Sequence, residues 1–124
     1  MYMPMRARAL LATALLAAAP ATGQSLIETY SQKTLLKNWA LSVCLATVAR
    51  HADEIDDANK TASAYMEFGH QSAEDYERLR QLATSYARRQ YGGSVDSDFN
   101  TMKCIDLFHS KELDTLAGSL ARRK

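Results

Sequence analysis

The 124-residue chain has only two cysteines, Cys44 and Cys104, and no CxxC, CxxCH or HExxH spacing. Those absences exclude the common signatures of thiol redox chemistry, haem attachment and zinc hydrolysis. No segment alternates apolar and polar residues long enough to make a strand, so a sheet is not expected. After the N-terminal segment there is no apolar run of the roughly 18 residues that a membrane-spanning helix needs. Nor is there an internal repeat or a low-complexity tract there. Charge of one sign is equally missing. Beyond residue 23, 13 Lys plus Arg stand against 14 Asp plus Glu, so no field draws the chain to nucleic acid or to an anionic membrane.

What is present begins with an export signal. Arg6 and Arg8 precede ALLATALLAAA at residues 9–19, an uncharged apolar stretch too short to span a bilayer. Cleavage fits after Ala21 or after Gly23, because each has an alanine two positions earlier. The expected organisation is a signal peptide at residues 1–23 and a single helical domain at residues 24–124. About 100 residues suffice for one hydrophobic core and not for two. In an oxidising compartment, Cys44 and Cys104 are most simply one disulfide. In the chain-entropy model a closed loop of this length is worth about 4 kcal/mol, a large share of a small domain's stability.

Every later segment scans at helical period. A first helix is expected over residues 27 to about 52, with Leu36, Trp39, Ala40, Val43, Cys44 and Thr47 on one stripe and Leu41, Leu45 and Val48 on another. A helix apolar on two faces is either surrounded by the others or shared with a second copy, which makes a homodimer a serious expectation. A second helix should open at Asp53 as its cap, bury Ile55, Ala58, Ala62, Tyr65 and Met66, and stop at Gly69 in a left-handed conformation. Ser72 should cap a third helix, lined by Tyr76, Leu79, Leu82, Ala83 and Tyr86 and ending near Tyr91. Gly92-Gly93-Ser94-Val95-Asp96-Ser97-Asp98 is the clearest loop. Asp96, Ser97 or Asp98 should cap a fourth helix with Met102, Ile105 and Phe108 inward, and a fifth should follow Ser110 with Leu113, Leu116, Ala117 and Leu120 inward. The fold class is all-α, a compact bundle of about five helices with one intramolecular disulfide.

Chemistry is hard to find in these residues. A Cys and His pair would need a free thiol beside His51, His70 or His109, which export disfavours. His51 and His109 sit near helix ends, and His70 follows Gly69, so the three make a poor metal site. The acidic run Asp53, Glu54, Asp56 and Asp57 lacks the alternating ligands and central glycine of a calcium loop. No catalytic residue, metal or cofactor is assigned, and the residues alone point to an exported, disulfide-stapled helical binding or structural module.

Two stretches carry a resemblance. KNWALSVCLA at residues 37–46 and FNTMKCIDLFHSKELD at residues 99–114 contain both cysteines, and AYMEFG at 64–69 and YGGSV at 91–95 fit the same pattern. Together they resemble the type VI secretion amidase immunity proteins that neutralise the fourth family of amidase effectors. The resemblance implies a periplasmic, helical, dimeric protein that performs no reaction. Its partner would be a Cys and His hydrolase that cuts peptide bonds in the cell wall, inhibited by a protruding loop in its active-site groove with help from a helix face of the dimer. The expected loop comprises Tyr91, Gly92, Gly93, Ser94, Val95, Asp96 and Ser97. Tyr91 would be a flanking anchor, the glycines would let the backbone approach closely, Ser94 and Asp96 would hydrogen-bond, and Val95 would meet an apolar floor. The corner at His109, Ser110 and Lys111 is the competing plug. A periplasmic helical module for a small ligand or a metal is the rival reading, and it would need a polar cluster inside the core.

Overall fold

In the computed structural model, residues 25–123 are described continuously, together with residues 2–4, 12–14 and 23. The expected signal peptide, residues 1–23, falls largely outside the described residues. A 3₁₀ turn at Ile27–Thr29 leads into five α-helices: α1 (Gln32–Val48), α2 (Ala52–Glu67), α3 (Ala73–Ala87), α4 (Asn100–His109) and α5 (Lys111–Arg122). Among the described residues there is no strand.

Helix α1 is the axis of the bundle and packs against all four other helices. That accounts for its two apolar stripes within a single chain. Leu36, Trp39, Ala40, Val43 and Cys44 are buried, while Leu41 and Val48 pack half-buried against the same core and Leu45 stays outside it. Around this axis close Ala62, Tyr76, Leu79, Ala83, Tyr86, Leu107, Leu113, Ala117 and Leu120. Each fully buried leucine contributes about 1.5–3 kcal/mol relative to exposure. Cys44 is bonded to Cys104 with 5.7 Å between their Cα atoms, so the disulfide ties α1 to α4 inside the core.

Serine side chains set three of the helix starts. Ser31, Ser72 and Ser110 each accept a backbone N–H three residues on, from Thr34, Asp75 and Leu113, at 3.1, 3.2 and 3.1 Å. Each satisfies a donor that the helix itself leaves orphaned. At the α2–α3 turn, both ends of the Gln32 amide are used. Its nitrogen donates to the Phe68 carbonyl at 3.0 Å and its oxygen accepts from the His70 N–H at 3.1 Å.

Several boundaries differ from the sequence expectation. A single helix over residues 27–52 would run about 39 Å, longer than a domain of this size is wide. The chain instead turns at Ala49 and His51, both extended, so that α2 folds back and buries Ala58 and Ala62 on α1. Asp53 therefore lies inside α2 rather than at its cap, which His51 occupies without a side-chain bond. Gly69 is not left-handed, and no described glycine has a positive φ. Helix α3 stops at Ala87 rather than near Tyr91. Within α4 the buried residues are Lys103, Cys104 and Leu107, while Met102 and Ile105 are 46% and 51% exposed. The disulfide dictates this. Turning Cys104 toward α1 brings 103 and 107 inward with it and swings 102 and 105 to the outside.

Candidate functional site

The twelve-residue connector between α3 and α4 is the longest irregular segment of the domain. It leaves α3 through Arg89, whose backbone N–H donates to the Tyr86 carbonyl at 3.1 Å and whose guanidinium lies 3.6 Å from the Tyr86 ring centroid. Tyr91 comes next, half-buried, and its hydroxyl donates to the Asp106 carboxylate on α4 at 2.5 Å. That acceptor holds the Tyr91 hydroxyl above the ordinary tyrosine value, in its protonated form.

Residues 92–98 are all exposed, Val95 by 68%. Asp96, Ser97 and Asp98 do not cap α4 as expected. Ser97 accepts the Phe99 N–H at 3.0 Å, and Asp98 pairs with Arg50 at the corner between α1 and α2. The residue that starts α4 is Phe99, in the left-handed region at φ 53° with no side-chain cap. Such a φ is unusual for a bulky residue. It turns the chain sharply into the helix while the Phe99 ring stays under the loop, 3.4 Å from where a Cβ on Gly93 would sit. A Cβ on Gly92 would meet nothing within 4 Å.

Two concavities flank this segment. One of about 250 Å³ is bounded by Tyr91, Gly93, Val95, Phe99 and Met102. Its larger neighbour, about 700 Å³, is bounded by Arg50, Asp98, Phe99, Met102 and Ile105. The structure thus brings the seven loop residues together with a flanking apolar face on α4. The sequence pattern missed that face because the 3.6-residue period of α4 admits two phases and only the disulfide chooses between them. Arg50 and Asp106 were likewise hidden, being 48 and 15 residues from their partners.

The competing corner has a different shape. Ser110 alone separates α4 from α5, donating its N–H to the Leu107 carbonyl at 3.1 Å and its hydroxyl to the same carbonyl at 2.7 Å, while it caps α5. His109 and Lys111 are exposed on a tight elbow that projects no backbone.

No cluster of three or more His, Cys, Asp or Glu that could hold a metal ion occurs among the described residues. The acidic start of α2 is solvated, with Asp56 paired to Lys60 at 2.6 Å and Asp53 accepting the Glu54 N–H at 3.1 Å. The buried polar and charged residues Ser42, Lys103 and Asp75 each have a partner. Ser42 donates to the Asn38 carbonyl at 2.8 Å, Lys103 to Asn100 at 3.0 Å, and Asp75 accepts from Arg123 at 3.1 Å. These bonds leave the described core without the polar cluster that a small-ligand module would need.

A family model described as the type VI secretion system amidase immunity protein, Tai4, matches residues 34–117. A chain in the structure of the effector–immunity system Tae4/Tai4 from Salmonella typhimurium is 50% identical, with 82% of this chain and 97% of that one covered and a TM-score of 0.74. A chain from the type VI-secreted toxins and self-resistance proteins of Serratia marcescens is 31% identical over 83% and 87%, with a TM-score of 0.73. A third likeness, of fold alone at 24% identity, is to the complex of Salmonella typhimurium Tae4 with Enterobacter cloacae Tai4, covering 77% and 98% with a TM-score of 0.67. No curated protein sequence matches the chain.

Proposed function

The chain belongs to the type VI secretion system amidase immunity family, so it is an immunity protein and not an enzyme, and from that premise we propose how it acts. It is exported, loses residues 1–23, and in the periplasm binds an amidase effector that cuts peptidoglycan. It silences that effector by seating residues 91–97 in the active-site groove. The Cys44–Cys104 disulfide supports the compartment, since such bonds persist in oxidising surroundings.

The observation that carries the loop reading is the pair Gly92 and Gly93. Neither has a positive φ, Gly92 has open space where a Cβ would go, and Gly93 would make only ordinary contact with Phe99. The free fold therefore does not ask for glycine at 92. What the two glycines provide is a slim, exposed backbone that can enter a narrow groove. The Ser110 elbow offers no such protrusion, which favours the loop over the His109 and Lys111 corner.

Pairing of two copies is part of the same proposal, supported by Leu45, Met102 and Ile105, 39%, 46% and 51% exposed, which border two hollows that share Asn100 and Thr101. The deciding experiment titrates the chain lacking residues 1–23 into Salmonella typhimurium Tae4 and follows peptidoglycan hydrolysis. Tight inhibition is expected, with Gly92→Trp and Ser94→Trp abolishing it while melting stays the same. Unaltered inhibition by both variants would move the site elsewhere, and no inhibition by the unsubstituted chain would overturn the reading.

A further inference from the structure

The connector is fastened at its two feet and free between them. Among the described residues, no hydrogen bond reaches residues 92–96. On the α3 side, Tyr91 donates to Asp106, the seventh residue of α4. On the α4 side, Asp98 pairs with Arg50, which stands on another corner of the molecule between α1 and α2. The Arg50 and Asp98 side chains are 69% and 66% exposed, and an ion pair in that setting adds little to folding. A contact that hardly stabilises the fold still narrows what the twelve connector residues can do.

We propose that the Arg50–Asp98 and Tyr91–Asp106 contacts are positioning latches that hold the 92–97 loop in the shape the amidase groove accepts. This rests on the loop reading above. Apparent affinity falls by the fraction of time a loop spends in its competent shape. A latch at each foot raises that fraction before the partner arrives, as preorganisation does elsewhere. The latches act through the frame to which they are tied. Asp106 lies two residues from Cys104, and the disulfide fixes α4 to α1, with Arg50 two residues beyond the end of that helix. Both feet are thereby referred to one rigid body. Phe99 completes the frame, its ring lying under Gly93.

The test uses Asp98→Asn, Tyr91→Phe and the exchange pair Arg50→Asp with Asp98→Arg, all in the chain lacking residues 1–23. Backbone ¹⁵N relaxation of the free protein reports the order of residues 92–97, and stopped flow reports association with Salmonella typhimurium Tae4. Each single variant should lower loop order and slow association about fivefold, with melting unchanged. The exchanged pair should recover both. Unchanged loop order overturns the proposal without reference to any partner. Failure of the exchange to restore binding also overturns it, because Asp98 would then be touching the effector directly. A Val95→Trp variant at the tip runs in parallel. If it loses binding while the latch variants keep theirs, the latches fall and the loop reading stands; if it keeps binding, the loop reading falls.

Discussion

The hydroxyl of Tyr76 occupies the space that a side chain on Gly69 would need. Glycine is thus required at the α2–α3 turn by volume and not by backbone angle. The same hydroxyl is buried and has no hydrogen-bond partner among the described residues.

Opposite signs follow for the two residues. Gly69→Ala should destabilise by about 1–3 kcal/mol, the cost of overpacking a tight site. Tyr76→Phe removes a polar atom that gains nothing in the core, and should be neutral or slightly stabilising. The double variant should be less damaged than the sum of the two singles, which urea titration of all four proteins measures.

Reduction, or Cys104→Ser, should lower stability by about 4 kcal/mol. For a domain of about 100 residues that is on the order of 15 °C or more in melting temperature. Equal melting with and without reductant would remove the disulfide from the account of the frame.

At alkaline pH the tyrosines govern. Burial raises Tyr76, and hydrogen bonding to Asp106 raises Tyr91, above the ordinary value of 10.0. A raised folded-state value gives stability that is fully present below the unfolded value and is lost as pH climbs through the folded one. Stability should therefore fall above about pH 10, and Tyr76→Phe should flatten that limb. At the acid end, the Lys33 ammonium at 2.9 Å holds the Asp114 carboxyl below its usual 3.8. That contribution is present above the unfolded value and vanishes as pH drops through the lower folded one. Urea midpoints measured across pH in the unsubstituted chain, Tyr76→Phe and Lys33→Ala would resolve both ends.

Ser110→Ala should cost about 1–2 kcal/mol through the loss of the α5 cap, and leave inhibition intact once the protein is folded. His109→Ala and Lys111→Ala should change neither. A loss of inhibition in these two variants, with melting preserved, would return the binding site to the elbow.

Much of the bundle was legible because local chemistry and burial agree there. Ser72 and Ser110 cap where spacing placed them, and Leu113, Ala117 and Leu120 face inward as their period demands. The two apolar stripes of α1 were visible but ambiguous, since a pattern cannot tell four neighbouring helices from a second chain. Legibility ended where a distant partner decides. Cys44 sets the phase of α4, and Tyr76 sets the residue at 69. The loop could be found from its two glycines. Its latches could not, because no local signal links Arg50 to Asp98 or Tyr91 to Asp106.

The connector between α3 and α4 contributes little to the buried interior, and the bundle closes around α1 without it. Its tip can therefore accept substitutions that leave the helices beneath undisturbed. Under the proposed loop reading, a change in the effector's cleft would be met by substitutions at a few exposed positions, without putting folding at risk. The contest between attacker and defender would then be confined to the part of the molecule that can best tolerate it.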